Sequence, residues 1–141
     1  MEGEEGGASM NPKQFLMLGG IVLILVAILG FVGVIGPTAG ESMFGEAWWF
    51  DSGENWAHLI IGLVALIAMY ALPMSGQKAL VMFVGIVALL VGLYSLLIST
   101  SFLGANLENP ADSILHVVVG LWALLSVRGK QDMMMPPQMP S

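Results

Sequence analysis

Hydrophobic residues along this chain form four long runs, separated by polar and glycine-rich segments. The runs cover residues 15–35, 56–72, 79–98 and 114–127. A helix needs about 20 apolar residues to span a bilayer, and about 17 is the short limit. The first and third runs reach this length and the second is at the limit. The fourth reaches it if its helix begins near Pro110, a residue type favoured in the first turn after a capping Asn. The pattern predicts an all-α bundle of four transmembrane helices.

The second half of the chain repeats the first half. Residues 58–66 read HLIIGLVAL and residues 116–124 read HVVVGLWAL, with His, Gly, Leu, Ala and Leu at the same places. The preceding helices also match, because residues 13–26 align with residues 78–91. A repeat of this size is typical of a duplicated structural unit. We therefore expect two tandem transmembrane hairpins, 13–72 and 78–128, related by an axis along the membrane normal.

The segments outside the hairpins differ in composition. Residues 1–12 are rich in Gly and Glu and residues 129–141 are rich in Met and Pro, so both are predicted to be disordered tails. Met133, Met134, Met135 and Met139 offer thioethers to a soft ion such as Cu(I), although without regular spacing. The first outer loop, 36–53, is the longer one and contains Trp48-Trp49-Phe50. These aromatic residues are interpreted as a membrane-interface anchor, or alternatively as a lid or partner-docking segment.

Composition and charge agree with a membrane protein. Hydrophobic residues make up 57% of the chain and charged residues 10%, which is unlike a soluble domain. The absence of cysteine excludes disulfides, iron–sulfur clusters and thiolate zinc sites. No basic patch is present, so nucleic-acid binding is not expected. The basic residues all fall at one end of the predicted bundle: Lys13, Lys78, Arg128 and Lys130. The positive-inside bias therefore predicts a multi-pass protein of the prokaryotic inner (cell) membrane with both termini in the cytoplasm.

Polar residues recur at a spacing of four in the second and fourth helices. The two matching sets are Glu54, His58 and Gly62, and Asp112, His116 and Gly120. This spacing places each set on one helix face. An ionisable residue inside a membrane needs a partner. The structural interpretation is that the carboxylates cap their helices, and that each histidine bonds to its own carboxylate or to the other hairpin.

Other interpretations of the histidines remain open. Glu54, His58, Asp112 and His116 together form a ligand set that suits a divalent metal such as zinc, iron or manganese. Alternatively, His58 and His116 ligate a haem, with the neighbouring glycines making room for the ring. A proton or ion path is the last alternative. No catalytic residue is predicted, because the chain lacks a nucleophile–base pair, a phosphate loop and an H-E-x-x-H motif.

Glycines inside the predicted helices indicate close helix packing. Small residues allow helix backbones to approach one another in a membrane, where no hydrophobic effect draws helices together. We assign this role to Gly62, Gly85, Gly92 and Gly120.

The segments around the histidines resemble a known pattern. Residues 55–58 read NWAH and residues 109–120 read NPADSILHVVVG. They resemble a small four-helix family of prokaryotic integral membrane proteins of unknown function, with Asn/Asp and Leu-His…Gly segments opening helices two and four. The resemblance covers about residues 15 to 127 and implies a fold and a topology without a mechanism.

A non-enzymatic role follows from these observations taken together. We expect an accessory or scaffold subunit without a cofactor, embedded in the lipid bilayer and packed in a larger membrane complex or a homo-oligomer. The alternatives are a metal- or haem-binding module that uses the paired histidines, and a small transporter or membrane enzyme subunit.

Overall fold

The computed structural model describes residues 11–102, 105–107 and 110–134. These residues form four α-helices: α1 (Pro12–Phe31), α2 (Ser52–Ala71), α3 (Met74–Leu97) and α4 (Ala111–Met134). Each helix is long and apolar enough to cross a membrane. The connection between α3 and α4 contains two short antiparallel strands, β1 (Ser101–Phe102) and β2 (Ala105–Asn106). The predicted all-α fold with four potential membrane spans is therefore confirmed, with this small strand pair as an addition.

Each helix begins before its apolar run, and polar capping residues define the starts of α1 and α2. Asn11 and Gln14 form a capping box at the start of α1, with hydrogen bonds of 2.8 and 3.1 Å. Such a box satisfies backbone N–H groups that have no partner within the helix. Residues 11 and 12 therefore belong to the helix start and not to the predicted amino-terminal tail. The remainder of that tail, 1–10, lies outside the described residues.

The last helix is longer than predicted. Its backbone remains helical to Met134, so residues 129–134 are not part of a disordered tail. Lys, Gln and Met, which occur in this stretch, are good helix formers and continue a helix that is already nucleated. Residues 135–141 of the predicted Met/Pro-rich tail lie outside the described residues.

Each helix packs chiefly against the next one in the chain. α1 lies along α2 and α3 lies along α4, whereas the two hairpins contact each other mainly through α1 with α3 and α4. We call the end of the bundle with connections 32–51 and 98–110 the loop end, and the opposite end the terminal end. A cluster of buried apolar side chains joins the hairpins towards the terminal end: Phe15, Leu16, Ala65, Ala68, Met69, Val81, Ala123 and Val127. The rings of Phe15 and Trp122 also meet there, edge to face, with centroids 4.6 Å apart.

A short connection joins the hairpins at the terminal end. Only Leu72 and Pro73 separate α2 from α3. Gln77 is buried, and its Nε2 donates hydrogen bonds to the backbone oxygens of Met69 at 3.0 Å and Leu72 at 3.1 Å. These bonds satisfy carbonyl groups that the end of α2 leaves without helical partners. The turn between the hairpins is therefore held by a side chain from the helix that follows it.

Glycines allow the two helices of each hairpin to touch. A Cβ atom on Gly62 would lie 2.9 Å from the carbonyl oxygen of Gly20, and one on Gly120 would lie 2.8 Å from the carbonyl oxygen of Gly85. A Cβ on Gly92 would lie 2.8 Å from the carbonyl oxygen of Ser113. Real Cβ atoms do not approach backbone oxygens this closely, so a larger residue would force the helices apart.

The order of buried and exposed side chains is similar in α2 and α4. When residues 54–70 are aligned with residues 112–128, the aligned side chains have the same degree of burial. The two exceptions are positions 119 and 122, which are less exposed than their counterparts 61 and 64. A common burial pattern is what a duplicated hairpin would produce. The relation of the two hairpins by a rotation axis stays a prediction, as do the repeat itself and the position of the termini.

Candidate functional site

The connection between α1 and α2 folds back over the loop end of the bundle. α1 ends at Phe31, and Gly33 follows with a φ of +92°, a left-handed conformation that favours glycine. The backbone N–H of Phe50 then donates to the carbonyl of Ile35 at 2.8 Å. Gly36 allows this approach, because a Cβ there would lie 2.2 Å from the Phe50 oxygen. Phe50 is consequently buried, with 4% of its surface exposed.

Trp48 ties this connection to the second hairpin. Its indole Nε1 donates a hydrogen bond of 2.8 Å to Oδ1 of Asp112, at the start of α4. The backbone oxygen of Trp48 accepts a bond of 2.7 Å from the hydroxyl of Ser42. Its ring also contacts Phe50, with centroids 5.2 Å apart. Trp48 and Phe50 thus cover the loop end of the bundle. The membrane-anchor, lid and partner-docking interpretations of the aromatic segment stay predictions.

His58 and His116 face each other beneath this cover. Their ring centroids are 6.4 Å apart and their planes differ by 29°. His116 Nδ1 lies 2.8 Å from the backbone oxygen of Asp112 and therefore carries the proton in this contact. His58 Nδ1 is buried, and the part of the chain that the structure describes offers it no hydrogen-bond partner. Phe50 packs against the edge of the ring pair, with its centroid 5.1 Å from that of His58. The structure thus brings the two predicted histidines together.

The two carboxylates lie in the first turns of α2 and α4 and accept hydrogen bonds there. Glu54 Oε1 accepts from the backbone N–H of Asp51 at 3.1 Å, while Asp51 Oδ1 accepts from the Glu54 N–H at 2.8 Å. Asp51 is therefore the capping residue of α2 and Glu54 completes the box from the first turn. The Asp112 carboxylate accepts from Trp48, and the Asp112 backbone oxygen accepts from His116. Helix starts leave backbone donors that attract acidic side chains, as at Glu54. The bond of each histidine to its own carboxylate or to the other hairpin stays a prediction.

Each hairpin also buries polar side chains one turn before its histidine. Asn55 is fully buried in α2 and sits against Gly30, where a Cβ would lie 2.0 Å from the Asn55 oxygen. In the other hairpin, the hydroxyls of Ser95 and Ser113 share a hydrogen bond, and both residues are buried. The repeat alignment places Gly30 opposite Ser95 and Asn55 opposite Ser113. Each hairpin therefore buries a polar side chain at the equivalent position of the repeat, although the residue is Asn55 in one hairpin and Ser113 in the other.

The structure brings together the two histidines of the predicted metal and haem sites, but its described residues do not assemble the complete set of metal ligands. Within residues 11–102, 105–107 and 110–134, no three acidic or histidine side chains are placed to hold one metal ion. Space for a haem is not provided by Gly62 or Gly120, because Ile24 and Leu89 already fill the positions next to them. The basic residues, which would pair with propionates, lie at the terminal end. The divalent-metal and haem hypotheses for this site stay predictions.

Sequence reasoning singled out the aromatic segment without assigning Trp48 or Phe50 a contact at this site, and it missed Asp51. Trp48, Phe50 and Asp51 make the contacts that close the loop end. The signal for Trp48 and Phe50 was the greater length of the first connection. The offset between matching residues of the two hairpins is 65 in their first helices and 58 in their second helices, so the first connection contains additional residues. The signal for Asp51 was the capping pattern of an acid followed three residues later by Glu54.

Comparison with known proteins gives no identification. No protein-family model, curated protein or solved structure matches the chain. The resemblance to the four-helix prokaryotic family therefore stays a prediction, and the function has to be inferred from the chain's own geometry.

Proposed function

We propose that the chain is a non-enzymatic accessory or scaffold subunit of the cell membrane, working within a larger complex or a homo-oligomer. The observation that carries the proposal is the use of the polar side chains at the loop end for contacts within the chain. Trp48 binds Asp112, Glu54 binds the backbone of Asp51, and Ser95 binds Ser113. Groups committed to such contacts hold a fold together and are poorly placed to process a substrate.

The contacts at both ends of the bundle support a rigid scaffold. The apolar cluster joins the hairpins towards the terminal end, and Trp48 with the histidine pair joins them at the loop end. The remaining surface is largely apolar, since at most a third of the residues in the apolar window of each helix are buried. Such a surface accommodates lipid chains or the helices of a partner.

The proposed setting is a prokaryotic cell membrane, with both termini in the cytoplasm and with the hairpins as tandem repeats. The placement of all basic residues at the terminal end supports the orientation. The shared burial order of α2 and α4, together with the equivalent glycine contacts in both hairpins, supports the duplication.

Photo-crosslinking in native membranes tests the scaffold role. A photoreactive amino acid is introduced at Ile60 or Phe83, which are 55% and 65% exposed, and at Val81, which is fully buried, as the matched control. We expect the exposed positions to give a protein adduct of fixed mass, either a second copy or another membrane protein. The buried position should give only crosslinks within the chain. Lipid adducts alone at every exposed position would reject the scaffold proposal.

A further inference from the structure

We propose that His58 and His116 form a two-coordinate site for a soft monovalent metal ion, Cu(I), at the loop end. The site uses neither carboxylate, which distinguishes it from a four-ligand site for a divalent ion. It is independent of the scaffold role, since a scaffold can exist with or without a bound ion.

The separation of the two rings fits an ion between them. A ring nitrogen binds a metal at about 2.0 Å and lies about 1.1 Å from its ring centre, so two imidazoles on opposite sides of one ion have centroids roughly 6.2 Å apart. At a tetrahedral angle the same distances give roughly 5.1 Å. The observed separation of His58 and His116 is 6.4 Å. The last torsion of a histidine is broad, so the rings can turn towards a shared ion without moving the helices.

The hydrogen bonds of the histidines favour ligation. His116 Nδ1 donates to the backbone oxygen of Asp112, which leaves the lone pair on Nε2. A bond of this kind from the second ring nitrogen orients most metal-binding histidines. His58 has a buried Nδ1 for which the described residues provide no hydrogen-bond partner. A buried polar atom of this kind requires a partner, and ligation of an ion would provide one.

The surroundings favour a cation of low coordination number. Glu54 bonds the backbone at the start of α2, and Asp112 bonds Trp48. Phe50 closes one side of the histidine pair. Zinc sites normally have four ligands, which the described residues do not assemble here. Cu(I) is satisfied by two trans nitrogen ligands, and the acidic loop end without any Lys or Arg attracts a cation.

A copper titration of the full chain in detergent tests this site. The parent protein carries Met133, Met134, Met135 and Met139 replaced by Leu, because thioethers bind Cu(I) themselves. Cu(I) is supplied under reducing conditions as its bicinchoninate complex, whose colour reports the copper that the protein withdraws. We expect one Cu(I) per parent chain and at least about a tenfold weaker affinity, equivalent to about 1.4 kcal/mol, in His58→Gln and in His116→Gln. Glu54→Gln and Asp112→Asn should keep stoichiometric binding.

Two readouts remain informative if a histidine variant folds poorly. Cu(I) should raise the thermal midpoint of the parent chain, because an ion that binds only the folded state stabilises it. The X-ray absorption spectrum of the copper-loaded parent should show two nitrogen scatterers. Copper withdrawal no greater than that of a His58→Gln/His116→Gln double variant would overturn the proposal. Loss of binding in the two carboxylate variants, or four scatterers around copper, would also overturn it.

Discussion

Replacing Gly120 by Ala should weaken the second hairpin by steric overlap with backbone atoms. A Cβ at this position would lie 2.8 Å from the Gly85 oxygen, 2.7 Å from Leu89 Cγ and 2.9 Å from Leu89 N. Two of these three atoms belong to the backbone, so a side-chain rotation cannot relieve the overlap. The helices α3 and α4 would have to separate locally by roughly half an ångström, and overpacking of this kind costs about 1–3 kcal/mol.

The matched control is Gly19→Ala in α1. A Cβ at Gly19 would meet only Phe15 Cε1, at 3.9 Å. Both substitutions gain the same intrinsic helix preference of Ala over Gly, about 1 kcal/mol. The difference between the two variants in the free energy of unfolding therefore isolates the packing contribution. We expect Gly120→Ala to be less stable than Gly19→Ala by about 1–3 kcal/mol, and Gly62→Ala to behave like Gly120→Ala.

Reversible unfolding in mixed micelles of a mild detergent and sodium dodecyl sulfate provides the measurement, followed by far-ultraviolet circular dichroism. A difference of 1.4 kcal/mol corresponds to about a tenfold change in the ratio of folded to unfolded chain, well within reach of such a titration. Equal free energies of unfolding for Gly120→Ala and Gly19→Ala would refute the close approach of α3 and α4 at this position.

Three other predictions follow from the contacts at the loop end and from the charge pattern. Trp48→Phe should lower the free energy of unfolding by about 1.5–3 kcal/mol, the usual contribution of a hydrogen bond to a charged group, and an unchanged value in the same titration would contradict the bond to Asp112. Gly30→Ala should destabilise the fold, because its Cβ would overlap the amide of the buried Asn55, which would have to turn aside; an unchanged thermal midpoint would contradict this contact. Reporter fusions to both termini should show a cytoplasmic location, and an external carboxyl terminus would reverse the orientation.

The apolar runs determined the helices well, because length and hydrophobicity are properties of a single segment. The spacing of His58 and His116 also placed each residue on a helix face that turns inward. Spacing within one helix says nothing about how two helices are rotated against each other, so the 6.4 Å approach of the rings could not be derived from it.

Contacts between distant segments explain the parts of the site that the sequence did not reveal. Trp48 and Asp112 are 64 positions apart, and no local pattern links an indole in a loop to a carboxylate in another hairpin. The roles of Glu54 and Asp112 were interpreted through the nearest histidine in the sequence. In three dimensions Glu54 accepts from the backbone N–H of Asp51, and Asp112 accepts from the indole N–H of Trp48.

The two-residue turn secured by Gln77 makes the terminal end a pivot for the two hairpins. α2 has 20 residues, so it forms a lever about 30 Å long between this pivot and the loop end. A tilt of one hairpin by only about 5° would move its far end by roughly 2.6 Å over that length. The distance between His58 and His116 therefore depends on the angle between the two hairpins. His58 lies roughly 20 Å along α2 from this pivot, so any lipid or partner that changes this angle would also change the separation of the histidine pair.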